Sequence, residues 1–150
     1  MPFIKVYIHF VWSTKNRVTT LDSLDLRQTM WQHIRENAKK KDIFIDFVNG
    51  HAEHCHCLIS LGVDQTIAKV MQLVKGEGAF WFNKEKLTKQ KLEWQDEYFA
   101  VSVSDPIAIG SQIDTVRNYI KNQESHHKHK TFRKEYDELI SKFGYKKFSD

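Results

Sequence analysis

The apolar residues of this chain change period along its length, and the order of those changes restricts the fold more than any other feature. From Phe3 to Trp12 they alternate: Ile4, Val6, Ile8, Phe10 and Trp12 share one face and Lys5, Tyr7 and His9 the other, as in a half-buried strand. Between Leu24 and Lys41 the period becomes helical, with Met30, Trp31, Ile34 and Ala38 as the stripe. Lysines close that helix, where they favour its dipole. "DIFIDFVNG" predicts a second strand ending in a turn at Asn49-Gly50, and "HCHCLISL" a third, antiparallel to it. Asp64 is the expected N-cap of a helix with the stripe Ile67, Val70, Met71, Val74 and Trp81. A lysine-rich connector over 83–97 leads to a fourth strand in "YFAVSVS", with Phe99, Val101 and Val103 facing one way. A turn at Asp105-Pro106 and a capping box of Ser111 with Asp114 open a helix carrying Ile113, Val116 and Ile120.

The order β-α-β-β-α-β-α is the split βαβ pattern. It predicts an α+β fold, ferredoxin-like or RRM-like: a four-stranded antiparallel sheet with helices packed on one face. With 150 residues, no internal repeat and no Gly/Ser linker, one domain is expected, its core over about 3–130 and a charged, helical tail over 131–150. No apolar run is long enough for a transmembrane helix. The N-terminal "MPFIKVYIHFVW" lacks the basic region and small-residue cleavage site of a secretory signal, so a cytoplasmic location is expected. The net charge of +4 leans toward an anionic partner. Runs such as "KKK" (39–41), "KEKLTKQK" (84–91) and "HHKHK" (126–130) are ordinarily solvated faces.

"HAEHCHCLIS" (51–60) crowds three histidines and two cysteines into seven positions. In a strand, side chains two apart point the same way. His54 and His56 therefore leave one face, and Cys55 and Cys57 the other. The cysteine Cα atoms would stand about 6.5 Å apart, near the limit for a disulfide, so both are read as thiols. They cannot join the histidines without breaking the strand, and the paired CxxC spacing of a zinc knuckle is absent. His54 and His56 make half a metal site. Two half-buried packing histidines are the plain alternative. Farther on, "YIKNQ" sets Tyr119 and Gln123 at i and i+4, bordering the stripe of Val116 and Ile120. Each residue alone reads as packing or surface.

Together, His-x-His on an internal strand and Tyr-x-x-x-Gln on a late helix resemble the HUH nucleases, specifically the single-tyrosine transposases of bacterial insertion sequences. The resemblance extends to "HFVWSTKNR" (9–17), "VMQLVKGEGAFWFN", "WQDEYFAVSVS" and "VRNYIKNQESHH", in family order over about residues 3–130. One departure is Cys55, where the family usually has a bulky aliphatic; cysteine behaves as a small buried hydrophobe there. The last twenty residues carry no motif.

The resemblance implies an enzyme that cleaves and rejoins single-stranded DNA at stem-loop ends through a 5′-phosphotyrosine. Tyr119 would be the nucleophile. His54, His56 and Gln123 would ligate Mg²⁺ or Mn²⁺. A homodimer is implied, with Tyr119 acting in cis or in trans. Lys15, Arg17, Lys75, Arg117 and Lys121 are candidate phosphate contacts, Trp81 a candidate stacking platform and His126 a candidate proton shuttle or DNA contact. Three other readings stay open at this point: a domesticated relative acting on repeated hairpins, a small zinc-stabilised domain using the cysteines, and a non-catalytic nucleic-acid-binding module of the same architecture. The last usually carries paired aromatics where this strand has His54 and His56.

Overall fold

The computed structural model describes residues 2–103, 112–127 and 131–142. Strands β1 (Tyr7–Ser13), β2 (Phe44–His51), β3 (His54–Ser60) and β4 (Phe99–Val103) form one antiparallel sheet in the order β2-β3-β1-β4. Between β1 and β2 lies α1 (Leu24–Lys40). Between β3 and β4 lie α2 (Ile67–Met71), a π-turn over Gln72–Gly76, and α3 (Glu77–Lys84). After β4 come α4 (Gln112–Lys121), α5 (Gln123–His126) and α6 (Phe132–Lys142). The expected split βαβ order is present. The Asp105-Pro106 turn and the Ser111 end of the capping box lie outside the described residues.

Register assigns the two faces of the sheet. Phe10 pairs with Cys57 and Trp12 with Cys55, while Val11 pairs with His56 and Ser13 with His54. Phe10, Trp12, Cys55, Cys57 and Ile59 form the main core with Met30, Trp31 and Ile34 of α1 and Phe82 of α3. Burying Phe10 or Trp12 is worth about 1.5–3 kcal/mol or more each. Desolvation pushes both thiols up, so they remain protonated core groups. The two crossover helices thus share one face. The helices after β4 cover the opposite one: Leu58 and Val103 pack against Ile113 and Ile120 of α4, and Val11 and Phe99 against Phe132 of α6. Cover on both sides explains why β3 is buried from His54 to Ile59.

Three local details differ from the sequence reading. β2 runs through Asn49-Gly50 to His51, and the reversal is at Ala52-Glu53. A Cβ at Gly50 would stand 2.2 Å from the His54 carbonyl and 2.9 Å from the Trp31 ring, so this glycine serves close approach. The cap of α2 is Thr66, whose hydroxyl accepts from the Lys69 amide at 3.2 Å. Within α3 it is Phe82 that is fully buried, while half-buried Trp81 stacks on His33 at 3.9 Å.

Candidate active site

The internal strand β3 turns His54 and His56 toward the face covered by α4, α5 and α6. Both are fully buried, as is Gln123 at the start of α5. The Gln123 side chain donates to the Tyr119 carbonyl at 3.3 Å, one turn earlier. That bond turns its Oε1 toward the histidines, 3.1 Å from His54 Nε2 and 3.0 Å from His127 Nε2. Tyr119 sits edge-on to His56, ring centroids 5.3 Å apart, within the same chain.

The far nitrogens of the two histidines are also anchored. His54 Nδ1 lies 2.7 Å from the Glu53 carboxylate, and His56 Nδ1 lies 2.9 Å from His9 Nε2. Assigned from this network, His54 donates from Nδ1 and keeps the Nε2 lone pair. Then Nε2 of His54 and Oε1 of Gln123 are two acceptors facing each other. A proton or a cation must lie between them. Imidazoles held by a carboxylate or a neighbouring ring on the other nitrogen are the usual arrangement of metal-binding histidines.

Glu135 of α6 completes the cluster. It is 1% exposed, pairs with His56 and with His127 at 2.5 Å, and lies 3.9 Å from His54 Nε2. Burial works against its ionisation, but hydrogen bonds from His127 and His56 overcome this and hold the carboxyl far below its usual range. The Tyr119 hydroxyl also donates to it; burial and this negative charge push the phenol well above 10. Burial lowers His56 to about 4 against the pull of Glu135, and lowers His9 well below its ordinary value, so both rings are neutral at pH 7. Ligand atoms of His54, His56 and Glu135 all lie within 4.8 Å of one another. Two imidazoles, an amide oxygen and a carboxylate fit a divalent cation.

Two ion pairs hold the helices over the site. Arg27 of α1, nearly buried, makes a bidentate pair with Glu124, beside Gln123, at 2.5 and 2.9 Å and donates to the Leu21 carbonyl. Arg117 of α4 makes a bidentate pair with Asp46 at 2.9 and 2.7 Å. Asp46 is the bulged residue where β2 shifts register between Ile45 and Phe47.

The structure thus brings together Tyr119, His54, His56 and Gln123. The expected DNA contacts are dispersed. Lys121 is exposed on α4. Lys15 is exposed near Glu93 (3.9 Å). Arg17 lies over the Phe132 ring at 5.4 Å. Arg117 is engaged by Asp46, and Trp81 by His33. Lys75 donates to the Gln95 carbonyl at 2.7 Å. The side chain of His126 lies outside the described residues. Sequence reasoning missed His9, His127 and Glu135. His9 carried a signal, being the histidine that alternation points from β1 toward the face that holds the His pair.

The family described as "Transposase IS200 like" matches residues 3–123. Among solved structures, a candidate transposase from Deinococcus radiodurans R1 superposes with a TM-score of 0.63 at 20% identity, covering 81% of this chain and 93% of its own. A REP-associated tyrosine transposase bound to a REP hairpin gives 0.60 at 18% identity, covering 85% and 72%. No curated protein matches the chain.

Proposed function

The chain belongs to the family of IS200-like transposases, and from that premise we propose that it cuts and rejoins single-stranded DNA through a covalent tyrosine intermediate. One observation carries the reading: the Tyr119 ring, two anchored imidazoles and the oxygens of Gln123 and Glu135 converge in one buried cluster.

The chemistry follows from the side chains. Tyr119 Oη attacks the scissile phosphorus, the bond to the 3′ oxygen breaks, and a 5′-phosphotyrosine and a 3′-hydroxyl result. The phenol proton ends on the departing 3′ oxygen, which leaves as the hydroxyl, while Glu135, which accepts from the Tyr119 hydroxyl, orients the phenol for attack. The phosphodiester is conserved, so a 3′-hydroxyl from the same or another strand reverses the step without a nucleotide cofactor. Mg²⁺ or Mn²⁺ would be held by His54 and His56 with Gln123 and Glu135, and when bound supplies Lewis-acid polarisation of the phosphate. Glu53 and His9 hold the imidazole orientations.

On this reading Tyr119 acts in cis, because its ring stands beside His56 of the same chain. The implied homodimer then carries two sites, each built by one chain. Stem-loop DNA is the proposed substrate, and the fold-mate bound to a REP hairpin supports that choice. It also favours a second reading, in which the same chemistry acts on repeated hairpins in a host genome. Incubation with labelled stem-loop oligonucleotides and Mn²⁺, scored for a denaturation-resistant protein–DNA adduct, tests the proposal; absence of adduct on every stem-loop tried counts against it.

A further inference from the structure

Away from the catalytic cluster, α3 and the connector that follows it enclose a groove of about 980 Å³. Its walls carry Lys15 and Lys75, set against Glu93 and Asp96, together with Lys84 and Lys91, and Phe80, 68% exposed, stands on its rim. A second recess of about 650 Å³ shares Asn83 and Lys91 with it and adds Lys86 and Lys89. The "KEKLTKQK" run borders this trough, with Lys84, Lys86, Lys89 and Lys91 all exposed along it. Among the described residues, Lys84 and Lys91 make no ion pair.

The floor of this groove is built at a cost. The Lys75 carbonyl, within the π-turn, accepts from the Trp94 indole at 3.1 Å, which pins the connector to the helix. The next residue, Gly76, has ordinary helical φ and ψ, and a Cβ there would meet nothing within 4 Å. Alanine would serve the helix better by about 0.5–1 kcal/mol. The glycine keeps the floor open where a side chain would stand into the trough.

The trough is tied to the catalytic end of the sheet. The Lys15 amide donates to the Glu93 carbonyl at 2.9 Å, and the Gln95 amide to the Ser13 carbonyl at 2.8 Å. Ser13 pairs with His54, and the Thr14 amide donates to the Glu53 carbonyl at 2.8 Å. Basic side chains, an exposed ring and an open floor, leading from the strand end that carries His54, form the combination that binds unpaired strands by phosphate contact and base stacking. The geometry points to this groove as the binding track for single-stranded DNA flanking the scissile phosphate, with a base against Phe80 and phosphates on Lys84 and Lys91. This rests on the DNA-processing reading given above.

Fluorescence anisotropy of the full chain with a labelled oligothymidylate, and separately with a blunt hairpin stem, tests it. Gly76→Leu should retain or raise the melting temperature while losing at least tenfold in oligothymidylate affinity. Phe80→Ala should lose about tenfold, the share of one stacked base. Lys84→Ala with Lys91→Ala should make the salt dependence shallower by about 1.4 in slope. Stem binding should be unchanged by all three. Wild-type oligothymidylate affinity in the folded variants overturns the assignment, as does equal loss on the stem. Failure of the catalytic reading looks different: the unaltered protein then forms no adduct while the binding losses persist.

Discussion

Gln123 Oε1 lies 3.1 Å from His54 Nε2, although the two residues are 69 positions apart in the chain. With His54 Nδ1 committed to Glu53, this contact sets two acceptors against each other, which is stable only around a shared proton or cation. Removing one ligand of a metal site, or its support, costs about 10–100-fold in affinity. Gln123→Ala and His54→Ala should therefore each weaken Mn²⁺ binding by at least about tenfold, read by electron paramagnetic resonance titration. Gln123→Glu, which keeps an oxygen ligand, should retain binding. Unchanged Mn²⁺ affinity in both alanine variants counts against the ligand assignment.

Glu135 collects hydrogen bonds from His56, His127 and Tyr119 in a site closed to water. Truncating it strands those donors, and a buried unpaired group costs about 1–3 kcal/mol. Glu135→Ala should lower stability by about that amount in urea unfolding. Glu135→Gln keeps the shape and loses the charge. It should unfold closer to the native protein but give little adduct, because the phenol loses the carboxylate that orients it. Full adduct yield from the glutamine variant removes Glu135 from the chemistry.

The histidines make stability pH-dependent in a definite direction. His56 titrates at about 4 when folded and near 6.5 when unfolded, so between those values the unfolded chain binds more protons. Stability should be level above about pH 6.5 and fall as pH drops toward 4, by up to about 3 kcal/mol from this group. His9 is shifted the same way. The depressed carboxyl of Glu135 adds a further loss below its ordinary range, at lower pH still. Urea midpoints in EDTA across that range should slope less steeply for His56→Asn; identical slopes contradict the shift.

The sheet and half of the site were legible because they are written locally. Alternation alone separated His54 and His56 from Cys55 and Cys57, and helical spacing alone put Tyr119 and Gln123 on one face. Glu135 was not legible: it lies in a charged tail, and only the packing of Phe132 and α6 over β4 carries it to the histidines. The Asn49-Gly50 pair imitates a turn signal, yet its glycine answers to the Trp31 ring and the His54 carbonyl, contacts that no local window contains. Arg117 looked available for phosphate because its partner Asp46, on the bulge of β2, is 71 positions away.

The Arg27–Glu124 pair links α1 to the short helix that begins with Gln123. Arg27 is nearly buried but Glu124 is about one-third exposed, so losing these charge-assisted hydrogen bonds costs about 1.5–3 kcal/mol. Arg27→Ala should destabilise the chain on that scale in urea unfolding. Arg27→Lys should recover little, since an ammonium cannot reproduce the two-pronged contact. Recovery to native stability by lysine would mean that charge alone, without the fork geometry, fixes this helix.

The central claim is that Tyr119 attacks DNA beside an anchored histidine pair. Tyr119→Phe removes one oxygen and leaves the ring packed against His56 and His9. The most direct measurement is the yield of covalent protein–DNA adduct from single-stranded stem-loop substrate in Mn²⁺, with binding of the same strand followed in parallel. The unaltered chain should form the adduct, and the phenylalanine variant should bind the strand equally well and form none. Adduct formation by Tyr119→Phe would contradict the account.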